Sequence, residues 1–278
     1  MARSLPASGY LASQSLVVYY SFWLPKCAGG ECESLLGDWM RDRRNRSNMF
    51  LASKVGFGYP GVERGLRRDQ IEAECHKSLK RMGTDHLDLY YAHVDDLDTP
   101  IDETLAAFDR LIKAGKVRFI GASNFAAWRL AEAHCAGKVL GGAEYVCVQQ
   151  RHTYLRPKAG ASFAPQLAAN DDLLDFCGMR NVTLLAYSPL LNGAYTRPDR
   201  RLPDQYAGPD SDARLVALQA VASEMSATEN QVVFAWMLHS IPSIIPVFAA
   251  STEEQMRENL GALNVELSAE QMRWLNAA

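Results

Sequence analysis

The sequence has no run approaching the roughly 18 apolar residues that a membrane-crossing helix needs, so a helical membrane protein is not expected. Its opening, MARSLPASGYLASQSLVV, carries one arginine and a short, broken apolar run, which speaks against a cleaved secretory signal. Neither charge is in excess. A formal net charge of -3 provides no basic field for nucleic acid or for an anionic lipid surface. Paired cysteine spacing is missing as well. Cys27 and Cys32 lie close, but no second pair or histidine pair completes a zinc pattern, and Cys75, Cys135, Cys147 and Cys177 are scattered. The expectation is reduced thiols in a cytoplasmic protein with no metal site. No linker-like shift in composition divides the chain, so one domain over residues 1–278 is expected, with an atypical segment at 1–14.

What is present is a rhythm of strand and helix. A hydrophobic share of 48% and a charged share of 22% suit a soluble globular chain with a sizeable core. Short apolar runs, SLVVYY (15–20), NMFLASKV (48–55), HLDLYYAHV (86–94), VRFIGAS (117–123), EYVCVQQ (144–150), VTLLAYSPL (182–190) and IPSIIPVFA (241–249), alternate with amphipathic segments. In 67–83, Ile71, Cys75, Leu79 and Met82 recur at helical spacing. In 101–115, Leu105, Phe108, Leu111 and Ile112 share one face and a glycine closes the segment. Strands alternating with helices predict a parallel sheet covered by helices. No GxGxxG follows the first strand, so the doubly wound dinucleotide fold lacks its fingerprint. Seven strand candidates, each followed by helix, predict a (β/α)8 TIM barrel that is incomplete or modified at its first βα unit. The stretch 191–210 reads as loop from its Pro, Gly and Asp content and follows a strand, where barrels build sites and lids.

Polar residues at the C-terminal ends of barrel strands are the place to look for chemistry. Tyr20, Lys54, His93 and the pair Ser123 and Asn124 stand at four such ends. Each alone has a structural reading, as a packed strand-end tyrosine, a snorkelling lysine or a satisfied histidine. Together, in order, they resemble the aldo-keto reductase family. The stretches that carry the likeness are YSFW…GGECESLLGDWM, FLASKVG, DHLDLYYAH, VRFIGASNF, VQQRHTYL, LLAYSPLLNG and IPVFAASTEEQMRENL, from about Tyr20 to the C-terminus.

The resemblance implies an NADPH-dependent oxidoreductase that reduces an aldehyde or ketone, with Tyr20, Lys54 and His93 at the catalytic positions. Tyr19 is the rival to Tyr20, but it faces the other side of the strand, and Tyr20 precedes SFW as the family pattern requires. A phenol with an ordinary pKa near 10 gives up its proton reluctantly, and a lysine ammonium beside it stabilises the phenolate. The resemblance further implies that Ser123, Asn124 and Gln149, with Gln150 as its rival, bind the nicotinamide carboxamide. Tyr187 would stack on the ring. Ser188, Pro189, Leu190, Asn192 and Gly193 would follow the pyrophosphate, with Arg197, Arg200 or Arg201 as possible clamps. Ala249, Ser251, Gln255, Glu258 and Asn259 would cradle the adenosine phosphate. An ordinary capped helix starting at Ser251 or Thr252 is the structural alternative for that last segment. Trp23 and the 151–166 loop are expected to line the substrate pocket.

The chain departs from the family pattern at one catalytic position. The family's aspartate stands five residues before its tyrosine, and here that residue is Ser15. Without that carboxylate, Lys54 is expected to titrate below its ordinary value. The alternative reading is a catalytically impaired NADP(H)-binding barrel that serves as a redox-sensing or partner-binding subunit. A missing first strand would leave a sheet edge open, so a homo-oligomer that covers it is a further expectation.

Overall fold

A computed structural model describes the backbone of Leu16–Tyr19 and residues 29–278. Ser15, Tyr20, Trp23 and Cys27 lie outside the described residues. Strands and helices alternate: β1 (Leu16–Tyr19), α1 (Glu31–Arg43), β2 (Met49–Val55), α2 (Arg68–Met82), β3 (Leu87–Ala92), α3 (Ile101–Lys113), β4 (Val117–Ser123), α4 (Ala127–Leu140), β5 (Tyr145–Arg151), α5 (Asp171–Arg180) and β6 (Thr183–Tyr187). Then come α6 (Pro209–Met225), α7 (Glu229–His239), β7 (Ile244–Val247), α8 (Glu253–Gly261) and α9 (Ala269–Ala277). Among the described residues, no helix is long and apolar enough to cross a membrane.

The residues group into two compact units. The first comprises the described part of Met1–Val148 with Met179–Val182. Here β1 pairs with β2, β2 with β3 and β3 with β4, all parallel and in chain order. A parallel sheet whose strands follow chain order without reversal is wound in one direction, as in a barrel, and not doubly wound. Every residue of β3 is buried, as is all of β2 except Lys54, which is the sign of a sheet with both faces covered. The predicted stripe of α2 packs as read: Ile71, Cys75, Leu79 and Met82 are all buried. The helix stops at Gly83, whose φ of 62° returns its N–H to the carbonyls of Leu79 and Lys80. In α3, Leu105, Phe108 and Leu111 are buried, while Ile112 is only partly so.

One carboxylate ties this sheet together. Asp88 of β3 is 2% exposed. Its Oδ2 accepts from the Leu51 backbone N–H at 2.8 Å and from Arg46 at 3.0 Å, and its Oδ1 accepts from Arg118 at 2.8 Å. Replacing it by alanine leaves the buried Leu51 N–H without its acceptor and removes the carboxylate that Arg46 and Arg118 share. Asp88→Ala is expected to cost about 2–4 kcal/mol in urea denaturation. A midpoint equal to that of the parent would remove Asp88 from the framework.

The second unit comprises Gln149–Gly178 and Thr183–Ala278, and in it β6 and β7 pair in parallel from Leu184 opposite Ile244 to Tyr187 opposite Val247. The helix α7 opens with a capping box, Thr228 with Gln231, and α9 with another, Ser268 with Gln271. The 191–210 segment is more built than its composition suggests. It holds 3₁₀ turns at Leu191–Gly193 and Asp204–Tyr206, and its Tyr195 and Tyr206 are buried. The Tyr195 hydroxyl lies 2.7 Å from Thr153 Oγ1 and accepts from the Leu155 N–H. Aromatic anchors, which a count of Pro, Gly and Asp does not register, hold it against the chain that follows β5.

Candidate active site

In the first unit the predicted catalytic lysine is set by strand register. Lys54 pairs with Tyr91 of β3, and Tyr91 pairs with Gly121 of β4. The Tyr91 ring is fully buried, and the Lys54 Nζ stands 5.8 Å from its centroid. Gly121 makes the space: a Cβ there would meet both Tyr91 Cε1 and Cys147 Sγ at 2.7 Å. Lys54 thus ends a strand beside an aromatic face. Burial pushes its ammonium from an ordinary value of 10.5 down to about 7.

His93 follows β3 directly, its N–H donating to the Val55 carbonyl at 2.7 Å. Its ring meets Phe57 edge to face, 4.6 Å between centroids at 88°. Burial first, and then the charge of Lys54, hold the imidazole well below its usual value, so it is neutral at physiological pH. Ser123 and Asn124 close β4, and both are buried. The Asn124 Nδ2 donates to the His93 carbonyl at 3.0 Å and to Ser123 Oγ at 3.2 Å. Its φ of 56° is a left-handed conformation that asparagine tolerates better than most residues. Behind them Arg129 staples the turn after His93, donating to the Asp95 carboxylate at 3.1 Å and to the carbonyls of Asp96 and Thr99 at 3.3 Å. The first unit therefore gathers Lys54, His93, Ser123 and Asn124 at neighbouring strand ends.

The second unit holds the remaining predicted positions. Gln149 is 3% exposed, and its Nε2 is buried with no hydrogen-bond partner. Gln150 is also buried. A buried amide donor without an acceptor costs about 1–3 kcal/mol, and a bound carboxamide oxygen is the kind of group that satisfies it. Tyr187 ends β6. The Arg151 guanidinium lies 5.5 Å from its ring centroid and 4.9 Å from that of Phe163, and donates to Gln166 Oε1 at 2.7 Å. Burial, opposed by the Arg151 charge, raises the Tyr187 phenol to about 12, so it stays protonated.

Ser188, Leu191 and Asn192 have φ values of 56°, 48° and 59°, and Gly193 has 91°. Side-chain-bearing residues in this region carry strain of about 1–3 kcal/mol each, which tends to gather at functional loops. Pro189 and Leu190 lie between them. At α8, Thr252 is the cap, its Oγ1 accepting from the Gln255 N–H at 3.2 Å, and Gln255 Oε1 accepts from the Ser251 N–H at 2.8 Å. Ala249 and Ser251 are exposed and Asn259 is buried. Glu258 is engaged elsewhere, its Oε1 accepting from Thr228 at 2.8 Å and Asn230 at 3.4 Å. Arg197 makes a two-point ion pair with Asp199 at 3.0 and 2.6 Å.

Phe57 and Tyr91 beside these positions were not anticipated, and Arg151 was expected only as part of the 151–166 loop, not against Tyr187. For Arg151 a signal existed. It lies two residues beyond Gln149 on β5, so strand alternation puts both on one face. Tyr91 and Phe57 offer no such signal, since their roles depend on pairing register and on the fold of a loop.

Comparison with known proteins identifies the family. Residues 18–278 match the model of the Aldo/keto reductase family. The chain is 30% identical to aldo-keto reductase str7 of Strobilurus tenacellus, over 91% of this chain and 75% of that protein. It is 31% identical to aldo-keto reductase yakc [NADP(+)] of Schizosaccharomyces pombe, over 86% of this chain and 72% of that one. Among solved structures, a thermostable aldo-keto reductase, Tm1743, in complex with the inhibitor epalrestat, aligns with a TM-score of 0.70 at 31% identity, covering 90% of this chain and 78% of that one. The parallel strand–helix repeat is thus that of a (β/α)8-barrel oxidoreductase, and the chain belongs to the aldo/keto reductase family.

Proposed function

We propose that the protein reduces an aldehyde or ketone to an alcohol with NADPH, with Tyr20 as proton donor and Lys54 and His93 as its partners. The observation that carries this reading is a buried ammonium and a neutral imidazole at the ends of adjacent strands β2 and β3. Structural strand ends have no need of a lysine whose charged form is destabilised.

NADPH, when bound, supplies the hydride to the carbonyl carbon. The chain's own groups handle the oxygen. Tyr20 gives its hydroxyl proton to the oxygen as negative charge develops there, and recovers a proton from solvent. Lys54 in its charged form stabilises the phenolate and lowers the cost of that transfer. Neutral His93 donates an N–H to the same oxygen and fixes the orientation of the carbonyl. In the first unit Ser123 and Asn124 would hold the carboxamide. In the second, Gln149 would donate its partnerless Nε2 to the amide oxygen and Tyr187 would offer its ring. The preference for NADPH over NADH rests on the resemblance and on the relative named for NADP(+). Glu253 and Glu254 in the first turn of α8 oppose a phosphate there, and Ser251 supplies only a hydroxyl. Titrating both cofactors tests this: NADPH should bind more tightly.

The acidifying charge on Lys54 is present below its pKa of about 7 and lost above it. The kcat for reduction is therefore expected to fall as pH rises through about 7. A profile flat from about pH 6 to 9 would remove Lys54 from the proton step.

A second reading, an NADP(H)-binding barrel with little turnover, is favoured by Ser15 where the family keeps a carboxylate. Tight NADPH binding without oxidation by any reactive aldehyde would select it.

A further inference from the structure

The second unit contains a cavity of about 810 Å³ that none of the catalytic or cofactor positions named above lines. Arg151, His152, Tyr154, Arg214, Trp236 and Arg273 are among its walls. The volume is that of a small-molecule site. The walls combine flat apolar surface with positive charge. The His152 ring stacks on Trp236, 5.7 Å between centroids at 17°, and Tyr154 meets the same indole edge to face at 5.3 Å. Four arginines, Arg151, Arg156, Arg214 and Arg273, line it against one carboxylate, Asp171. Arg156 is balanced by Asp210 at 3.0 Å. Arg214 is 2% exposed and donates to main-chain oxygens, of Tyr154 at 2.9 Å and of Ala278 at 3.0 Å.

Two buried nitrogens on consecutive wall residues lack a partner: Nε of Arg151 and Nε2 of His152. The first is always a donor. Burial and then the charge of Arg214 lower His152 to about 4, so its ring is neutral and Nε2 donates in one tautomer. Two donors without acceptors, on consecutive residues of a cavity lined by four arginines and a stacked aromatic pair, suit a two-oxygen anion on a flat body.

We propose that this cavity binds a small organic carboxylate, its two oxygens taking the Arg151 and His152 nitrogens after a side-chain adjustment and its apolar body lying along Trp236. Such rotamer changes are common at binding sites. The site does not depend on the proposed reduction, and its test does not use turnover.

Benzoate is the probe, followed by calorimetry and by tryptophan fluorescence of the full chain. Saturable binding that persists at saturating NADPH is expected, with no comparable binding of neutral benzamide. His152→Phe keeps the ring stack but removes Nε2, and should weaken benzoate at least about tenfold while leaving NADPH affinity unchanged. Arg151→Gln should weaken it by a similar factor. Melting temperatures of both variants show whether a loss reflects unfolding, and the neutral probe needs no variant. Absence of saturable benzoate binding would overturn the proposal. So would equal binding of benzamide, displacement of benzoate by NADPH, or parent affinity in two folded variants.

Discussion

Replacing Lys54 by methionine is expected to lower kcat for carbonyl reduction about a thousandfold and to raise the stability of the protein in the same step. The two effects share a cause. Burial holds the ammonium at about 7 instead of 10.5. Below pH 7 the folded protein therefore carries a charge that its surroundings disfavour. The penalty is fully present there, shrinks as pH rises from about 7 towards 10.5, and is gone above that value, because between the two the unfolded chain holds the extra proton. Lys54 is partly exposed along its length, so the penalty is discounted to on the order of 2–4 kcal/mol. Methionine is nearly isosteric and carries no charge. The variant should melt higher at neutral pH, and the gain should narrow in alkaline buffer. A variant that loses activity and stability together would show Lys54 to be a structural residue.

Tyr20→Phe is expected to have the other large effect. It should keep NADPH binding within about twofold and lose on the order of a thousandfold in kcat, since it would remove the proposed proton donor and leave positioning and hydride supply intact. Tyr19→Phe is the control. Adjacent strand residues face opposite sides, so it should leave turnover within about threefold of the parent. Equal losses in both would show that the pair packs and does not donate. Rapid NADPH oxidation measurements on the two variants separate these outcomes.

How legible the molecule was in its sequence depends on the range of the interactions. The α2 stripe and the seven strands read correctly because hydrophobic period is local. Boundaries slipped where a single residue decides. Helix α6 starts at Pro209, inside the stretch 191–210 read as loop, because proline suits a first helical turn. Strand β7 covers only Ile244–Val247 of the nine-residue apolar run expected there, and Pro242, before its start, supplies no N–H to a ladder. In the candidate site, the placing of Lys54, His93, Ser123 and Asn124 at neighbouring strand ends could be read because strand ends can be named. The Tyr91 face beside Lys54 could not, because it depends on cross-strand register and on the space left by Gly121. Arg151 against Tyr187 joins residues 36 positions apart, and no local pattern reports it. The cavity beside Trp236 is assembled from β5, α6, α7 and α9 and is equally invisible to periodicity. The contacts of Glu258, expected at the adenosine phosphate, with Thr228 and Asn230 also join residues far apart in the chain.

Carbonyl reduction by a chain with Ser15 at the aspartate position is tested most directly by titrating NADPH into the protein by fluorescence and then adding an activated benzaldehyde. Saturable binding followed by NADPH oxidation and formation of the corresponding benzyl alcohol is the predicted result. Saturable binding with no oxidation across a panel of reactive aldehydes would contradict it and leave a cofactor-binding barrel without turnover.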